Sequence, residues 1–379
     1  MKKIKIMTIF GTRPEAIKMA PLVLELKKQR DRFDSVVVVT AQHRQMLDQV
    51  LEIFDIQPDY DLDIMKNRQS LTQITSNILI GLEDVMKEVN PDIVLVHGDT
   101  TTTFAAGISA FYNQVKVGHV EAGLRTWNKH SPFPEEMNRQ VTDVLSDIYF
   151  SPTAESASNL VKENHQQKHI YITGNTAIDA LKKTIKNNYQ HEVLNKISKD
   201  NRLILLTMHR RENQGDPMIR VFRAIKKVVD KYADVEVVYP VHLNPIVQDA
   251  AIKELGNHNR IHLIEPLDVV DFHNIAARSY MIMSDSGGVQ EEAPSMGVPV
   301  LVLRDTTERP EGINAGTLRL IGTQTEDVLK AMTELLDSSG VYKKMAEAKN
   351  PYGDGTASKR ILDAIAYEFG LESERPIDF

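Results

Sequence analysis

The feature that most constrains the fold of this chain is a regular alternation of strand-like and helix-like segments. Short apolar runs rich in β-branched residues recur along it, for example at Ile4–Phe10, Ile93–Val96 and Leu203–Thr207. Amphipathic segments of helix length, such as Leu71–Val89 and Asp216–Lys231, lie between these runs. Short apolar strands separated by amphipathic helices indicate parallel sheets with right-handed crossovers and helices on both faces.

The length of 379 residues suits two domains of this kind better than one. We therefore expect two Rossmann-like, doubly wound α/β domains that face one another across a cleft. The N-terminal domain is predicted to span residues 1–173 and the C-terminal domain residues 174–357. The boundary is expected in a polar stretch rich in Lys and Asn. A last helix, at about residues 358–379, is expected to pack back on the first domain.

The composition excludes several classes of function. A net charge of −7 argues against nucleic acid or an anionic membrane as the main partner. Without cysteine the chain can have no disulfide, no thiolate zinc site and no cysteine nucleophile. No apolar stretch approaches the length that spans a bilayer, and the basic opening MKKIKIMTIF continues without a signal-peptide cleavage site. We expect a cytoplasmic protein.

Three acidic residues follow apolar runs in the first half of the chain. They are Asp99 in VHGDTTTT, Glu121 in GHVEAGLRT and Glu135 in SPFPEEMNRQ. Side chains at the carboxyl ends of strands in an open α/β sheet converge on the crevice where such folds bind ligands. Convergent carboxylates can transfer protons, so an enzyme is the favoured interpretation.

The first strand runs into GTRPEAIK, which has features of a phosphate site. Gly11 permits a tight turn, Pro14 suits the first turn of a helix, and the helix start offers free N–H groups to an anion. Arg13 and Lys18 add positive charge. Taken alone, such a turn is more often an ordinary capped helix with solvated basic residues.

A second loop of this kind, SDSGGVQEEAP, follows the apolar run that ends at Met283. Its small residues Ser286, Gly287 and Gly288 would let the backbone approach a diphosphate closely. Glu292 is placed to accept hydrogen bonds from ribose hydroxyls. The alternative is a glycine turn with a surface glutamate. Neither loop matches a dinucleotide fingerprint or a Walker loop.

Basic residues follow successive strands of the second half and indicate an anionic ligand: His209, Arg210, Arg211, His242 and Arg309. Metal ligands, by contrast, have little support. The Asp61-x-Asp63 pair is more often solvated, and no histidine spacing accompanies it. Neither a metal nor a cofactor is expected.

Together the motifs resemble the non-hydrolysing UDP-N-acetylglucosamine 2-epimerases. The similarity rests on GTRPEAIK, AQHRQML, VHGDTTTT, EAGLRT, PFPEEMNR, GNTAIDAL, HRREN, SDSGGVQEEAP and RDTTERPEG, with NPYGDGTAS continuing the pattern. The motifs occur in order over nearly the whole chain. The resemblance implies a glycosyltransferase-B-like fold, a homodimer, and interconversion of UDP-N-acetylglucosamine (UDP-GlcNAc) and UDP-N-acetylmannosamine (UDP-ManNAc) for cell-surface polysaccharide synthesis.

The resemblance also implies roles for single residues. The catalytic group would be Asp99, Glu121, Glu135 and His209. UDP would be held by Arg13, Lys18, His242, Ser286, Gly287, Gly288, Glu292 and Arg309, with Phe272 flanking the uracil. Some family members bind a second UDP-GlcNAc as an activator, and the corresponding residues are Gln42, His43, Gln45, Arg68, Gln69 and Arg210. A polar loop without a ligand is the alternative for that last set.

The chemistry of the sugar agrees with this assignment. The C2 proton of a 2-acetamido sugar is not next to a carbonyl, so its simple removal would leave an unstabilised carbanion. Loss of UDP from C1 as that proton leaves gives a 2-acetamidoglucal instead, and re-addition on the other face inverts C2. Such a route needs acid–base groups on both faces of the ring and cationic partners for the diphosphate, for which His209, Arg13 and Arg309 are candidates.

Three alternatives stay open at this point. A UDP-sugar glycosyltransferase would share the fold but act on an acceptor, which the three carboxylates do not favour. A hydrolysing UDP-GlcNAc 2-epimerase would release free N-acetylmannosamine and is harder to separate by sequence. A non-enzymatic UDP-sugar sensor would need no carboxylates, so substitution of Asp99 or Glu121 would leave its activity unchanged.

Overall fold

A computed structural model describes residues 3–42, 44–66, 68–307 and 309–379. The chain forms two compact units. The N-terminal unit comprises Met1–Lys182 and Gly353–Phe379, and the C-terminal unit comprises Lys183–Tyr352. Among the described residues, no helix is long and apolar enough to cross a membrane.

The N-terminal unit contains a seven-stranded sheet in the order β3-β2-β1-β4-β5-β6-β7, with all neighbours parallel. Its strands are β1 (Ile4–Phe10), β2 (Phe33–Val39), β3 (Tyr60–Asp61), β4 (Ile93–His97), β5 (Lys116–Val120), β6 (Ile148–Ser151) and β7 (Ile170–Ile172). Its helices include α1 (Arg13–Lys28), α2 (Arg44–Ile53), α3 (Leu71–Val89), α4 (Thr101–Tyr112), α5 (Glu135–Leu145), α6 (Ala154–Lys162) and α7 (Thr176–Thr184).

The β1 strand shows why this unit is a three-layer structure. Ile6 and Phe10 belong to the core under α1 and α2, whereas Met7 and Ile9 belong to the core under α3 and α4. Successive side chains of a strand point to opposite faces, so a continuous apolar run requires helices on both sides of the sheet.

The C-terminal unit contains a six-stranded parallel sheet in the order β10-β9-β8-β11-β12-β13. Its strands are β8 (Arg202–Thr207), β9 (Val235–Pro240), β10 (Ile261–Ile264), β11 (Met281–Ser284), β12 (Val300–Val302) and β13 (Leu318–Leu320). Its helices are α8 (Glu192–Lys196), α9 (Asp216–Lys231), α10 (Pro245–Leu255), α11 (Val269–Ala276), α12 (Gly287–Glu292), α13 (Pro310–Ala315), α14 (Thr325–Asp337) and α15 (Ser339–Ala346).

The predicted class of two Rossmann-like, doubly wound α/β domains is therefore confirmed. The sequence analysis missed two strands, β3 and β13. Both are edge strands of two or three residues. An edge strand pairs on one side only, so it needs no long apolar run and leaves a weak signal in the sequence.

The last helix, α16 (Ala357–Glu368), belongs to the N-terminal unit. Its side chains Ile361, Leu362 and Ile365 are fully buried in the same core as α1. Residues 174–182 and 353–357, which the sequence analysis placed in the C-terminal domain, also group with the N-terminal unit. Hydrogen bonds join them there, because the Asp179 carboxylate accepts the backbone N–H groups of Ala357 and Ser358 at 3.1 and 2.8 Å.

Candidate functional site

The N-terminal candidates lie at the carboxyl ends of three neighbouring strands. The β1 strand leads to Arg13 and Lys18, β4 to Asp99, and β5 to Glu121. Because these strands are adjacent in the order β1-β4-β5 and run parallel, their ends meet at one edge of the sheet. Asp99 and Glu121 therefore lie at strand ends as the sequence pattern predicted, whereas Glu135 begins helix α5 and does not follow a strand directly.

Glu121 is the most constrained of these groups. Its carboxylate accepts hydrogen bonds from Lys18 Nζ and, at 2.9 Å, from Asn175 Nδ2. Its side chain is 11% exposed. The backbone φ of Glu121 is 66°, in the left-handed region that non-glycine residues rarely adopt. Such strain persists where the surrounding structure enforces it and is commonly found at functional sites.

A buried histidine faces the same carboxylate. His97 Nε2 lies 3.7 Å from Glu121 Oε2, and the His97 side chain is 5% exposed. Burial lowers the pKa of His97 to about 3, although the nearby Glu121 charge opposes this. His97 is therefore neutral at physiological pH, and the charge next to Glu121 is carried by Lys18.

Asp99 is held by helix α5. Its Oδ2 forms an ion pair with Arg139 Nη2 at 2.5 Å, and its backbone carbonyl accepts a hydrogen bond from Asn138 Nδ2 at 2.9 Å. Glu135 is the first residue of α5 and is half-buried. Within the described part of the chain its carboxylate has no hydrogen bond or ion pair. The structure thus joins Asp99 to the helix that begins with Glu135, but not to Glu135 itself.

A buried carboxylate that the sequence analysis missed joins two of these loops. Glu15 accepts the backbone N–H groups of Gly11 and Thr12 at 3.0 and 2.8 Å. Its other oxygen accepts the hydroxyls of Thr100 and Thr103 at 2.6 and 3.1 Å. Burial raises the pKa of Glu15, and these hydrogen bonds oppose the rise. The turn that carries Arg13 is thereby fixed to the turn that follows Asp99.

In the C-terminal unit, His209 is positioned by Asp285, a second residue without an assigned role. The fully buried Asp285 carboxylate accepts the N–H groups of His209, Arg210 and the Asn213 side chain at 3.0, 2.9 and 3.0 Å. The His209 and His242 rings stack with their centroids 5.4 Å apart. Partial burial lowers the pKa of His209, although the nearby Asp285 charge opposes this.

The second glycine loop brings Ser286, Gly287 and Arg309 together. Ser286 is the N-cap residue of α12, and its hydroxyl does not cap the helix. A Cβ at position 287 would lie 2.7 Å from the Arg309 guanidinium carbon, so the glycine lets that side chain lie against the helix start. Arg309 Nε also donates to Glu291 at 2.8 Å. A Cβ at Gly288 would meet nothing within 4 Å.

Phe272 and Glu292 are linked through His273, a buried residue of α11 to which the sequence assigned no role. His273 Nε2 lies 3.2 Å from Glu292 Oε2, and its Nδ1 lies 2.8 Å from the Thr184 hydroxyl. The half-buried Phe272 ring packs on the core and meets His273 edge to face. Because His273 is buried, it fixes the direction of the Glu292 carboxylate.

The residues predicted for an activator site divide between the units. Gln42 accepts a hydrogen bond from the Thr102 hydroxyl at 3.0 Å, and Gln69 Nε2 donates to the Ile64 carbonyl at 2.9 Å. Gln45 and Arg68 are exposed. Arg210 lies in the C-terminal unit, and His43 lies outside the described residues.

Asp61 and Asp63, the weak metal candidates, lie 2.5 and 3.5 Å from Arg44 Nη1. Their charges are compensated by that guanidinium. Among the described residues, no three His, Asp or Glu side chains are grouped as metal ligands.

Comparison with known proteins gives one family. A sequence model of the family described as UDP-N-acetylglucosamine 2-epimerase matches residues 25–366. The UDP-N-acetylglucosamine 2-epimerase of Bacillus subtilis (strain 168) is 60% identical over 379 residues, with 100% of this chain and 99% of the relative covered.

Solved structures agree. The crystal structure of UDP-GlcNAc 2-epimerase from Neisseria meningitidis bound to UDP-GlcNAc matches with a TM-score of 0.86 at 48% identity, covering 96% of this chain and 99% of that one. The co-structure of S. aureus MnaA with UDP matches with a TM-score of 0.90 at 54% identity, covering 99% and 100%.

These matches confirm the resemblance seen in the motifs, and they confirm the glycosyltransferase-B-like fold class. The family model extends over most of the chain, and the B. subtilis relative aligns over all of it. This chain therefore belongs to the UDP-N-acetylglucosamine 2-epimerase family.

Proposed function

We propose that this protein interconverts UDP-GlcNAc and UDP-ManNAc by elimination and re-addition of UDP, without net hydrolysis. The observation that carries the proposal is the Glu121–Lys18 pair beside Asp99, in a chain of this family. It brings proton-accepting carboxylates and a cation to adjacent strand ends. The N. meningitidis relative binds UDP-GlcNAc, which supports this substrate.

In the elimination, the C2–H bond breaks and its proton passes to a carboxylate. The electrons of that bond form the C1–C2 double bond, and the C1–O bond breaks so that UDP leaves with its electron pair. The reverse steps on the opposite face of the 2-acetamidoglucal give the epimer. Asp99, Glu121 and Glu135 are the proposed acid–base groups, each of the kind that typically contributes about 10²–10⁴-fold in rate.

Lys18 would couple the two halves of this step. Its ammonium group pairs with the Glu121 carboxylate. Lys18 and the Arg13 guanidinium are the two cations proposed to bind diphosphate oxygens. These cations stabilise the negative charge that grows on the departing diphosphate. When a carboxylate takes up the C2 proton it becomes neutral, so the nearby cations then interact more strongly with the leaving diphosphate.

The C-terminal unit would bind the UDP part of the substrate. The backbone N–H groups of Gly287 and Gly288, the Ser286 hydroxyl and the Arg309 guanidinium suit the diphosphate, whereas the Ser286 N–H donates to the Ser284 hydroxyl. Glu292, fixed by His273, suits the ribose hydroxyls, and Phe272 suits the uracil. His209 and His242 are proposed as hydrogen-bond partners of the phosphate oxygens, and a bound diphosphate would favour protonation of the His209 ring.

Proton NMR in D2O tests the reaction directly. With UDP-GlcNAc and no added metal or nicotinamide, we expect UDP-ManNAc with deuterium at C2 and no free sugar. Deuterium enters because the proton held by a carboxylate exchanges with solvent. Free N-acetylmannosamine plus UDP would instead indicate a hydrolysing enzyme. An unchanged spectrum would contradict both readings and favour a transferase or a sensor.

A second molecule of UDP-GlcNAc is proposed as an activator near Gln42, Gln45, Arg68 and Gln69. These residues lie on two segments that the structure brings together, since the Ile64 N–H bonds the Thr40 carbonyl at 3.1 Å. Initial rates over a range of UDP-GlcNAc concentrations test this. A sigmoidal dependence supports the activator, and a hyperbolic one contradicts it.

A role of the product in surface polysaccharide synthesis is proposed on the family resemblance, and loss of N-acetylmannosamine from those polymers in a deletion strain would support it.

We also propose a homodimer formed through helices α3 and α4. Ile80 and Tyr112 line one surface groove between them and are 71% and 74% exposed. Large apolar side chains grouped on a surface commonly mark an interface. The double variant Ile80→Glu with Tyr112→Glu is expected to halve the mass measured by light scattering. The control Val161→Glu, at an exposed apolar position on α6, should leave the dimer intact. A dimer that survives the double change would contradict this interface.

A further inference from the structure

We propose that His119 is a buried imidazolium that acts as a positioning residue for Asp99, by fixing the carbonyl group of Gly98. The inference rests on the proposed role of Asp99 in proton transfer. His119 is fully buried on β5, two residues before Glu121. It would act through the turn that carries Asp99.

Both ring nitrogens of His119 face hydrogen-bond acceptors. Nε2 lies 2.7 Å from the Gly98 carbonyl oxygen, which can only accept, so Nε2 carries a proton. Nδ1 lies 2.6 Å from Asp143 Oδ1. Asp143 Oδ2 accepts a hydrogen bond from Arg125 at 2.6 Å, which keeps this carboxylate ionised, so Nδ1 must donate as well. Two donating nitrogens make the ring a cation.

The surrounding charges balance that cation. Although burial opposes it, the charges of His119 and Arg125 hold the pKa of Asp143 below its usual value. Arg125 bonds Glu163 at 2.6 Å in addition to Asp143. The cluster of His119, Asp143, Arg125 and Glu163 therefore alternates positive and negative groups and has no net charge. Buried charges are tolerated when they are paired and hydrogen-bonded in this way.

Both backbone groups of Gly98, its N–H and its carbonyl, form hydrogen bonds with residues of β5. Its N–H donates to the Val120 carbonyl at 2.9 Å, and its carbonyl accepts from His119. Gly98 has a φ of 66°, so the direction of the chain into Asp99 depends on how this peptide is held. Without the hydrogen bond from His119, the buried Gly98 carbonyl would lose its donor. The turn that carries Asp99 could then rotate.

Helix α5 connects His119 to Asp99, and this set of contacts forms a frame around the Asp99 turn. It carries Asp143, which orients His119, and also Asn138 and Arg139, which bind the carbonyl and carboxylate of Asp99. Loosening one end of this frame should displace the Asp99 carboxylate without touching the groups proposed to hold UDP. A misplacement of about 1 Å can cost about 100-fold in rate.

Kinetics of two variants test the role. His119→Leu removes both hydrogen bonds, and we expect kcat to fall about 100-fold with the Kd for UDP unchanged. His119→Gln retains one N–H that can reach Gly98, so it is expected to recover at least part of that loss. His169→Leu is the control, because His169 precedes β7 in the same unit and bonds Glu368 of α16 at 2.8 Å, so its loss should leave kcat unchanged. A folded His119→Leu enzyme with unchanged kcat would overturn the proposal.

NMR of histidine-labelled wild-type protein tests the charge state even if His119→Leu does not fold. The His119 signal is identified by its absence from His119→Gln. We expect protons on both of its ring nitrogens in the folded protein, because each nitrogen faces an acceptor. A neutral ring with one protonated nitrogen would overturn the assignment.

Discussion

Replacing Glu121 with glutamine is expected to lower kcat for epimerisation by about 1,000-fold. Glutamine keeps the size of the side chain and can still accept from Asn175, but it can neither take nor return a proton. It also removes the charge that Lys18 pairs with. Initial rates from the NMR assay give kcat, and titration calorimetry gives the Kd for UDP, which should change far less because the proposed UDP groups are intact.

The control for this substitution is Glu25→Gln on helix α1. Glu25 also pairs with a lysine, Lys28, at 2.7 Å, but on the surface of the same unit. Its loss should leave kcat within about twofold, since exposed pairs contribute little. If Glu121→Gln kept a kcat similar to that of this control, Glu121 would have no part in the proton transfer.

Replacing Asp285 with alanine is expected to lower the free energy of unfolding of the C-terminal unit by about 3–5 kcal/mol. The carboxylate is fully buried and accepts three N–H groups, from His209, Arg210 and Asn213. Alanine leaves all three without their acceptor, and a buried unsatisfied donor costs about 1–3 kcal/mol. The His209 loop should also lose its position, so kcat is expected to fall as well.

Urea denaturation followed by circular dichroism measures this change. The two units can unfold in separate transitions, and the transition that Asp285→Ala shifts should be the one assigned to the C-terminal unit. Asp249→Ala on α10 is the matched control, because Asp249 is exposed in the same unit and should alter stability by less than about 0.5 kcal/mol. A midpoint for Asp285→Ala equal to that of Asp249→Ala would contradict the argument.

Much of the fold follows from the sequence because buried parallel strands need continuous apolar runs. Helices α3 and α9 begin and end at the predicted residues, and so does strand β1. The edge strands β3 and β13 escaped detection because one-sided pairing imposes little pattern on so few residues. The apolar runs also mark where the strands end, so the residues that follow those ends were predictable too.

The partners of those residues were not predictable. Asp285 stands beside Ser286 in one motif, yet its side chain is buried under the His209 loop while Ser286 is partly exposed. No local pattern distinguishes the two directions. Glu15, Asn175 and His273 are likewise defined by contacts between segments distant in sequence, and only the packed structure brings these segments together. The sequence therefore predicts residues at strand ends better than it predicts the buried residues that hold them in place.

The place of α16 in the N-terminal unit has a consequence for the order in which the protein matures on the ribosome. The C-terminal unit is one uninterrupted stretch, Lys183–Tyr352, and all of it is translated before the residues of α16. The N-terminal unit, although it is translated first, lacks Ile361, Leu362 and Ile365 from its core until α16 has been made. Until α16 is made, the N-terminal unit exposes part of its apolar core. A premature stop codon before α16 would therefore destabilise the unit that is translated first.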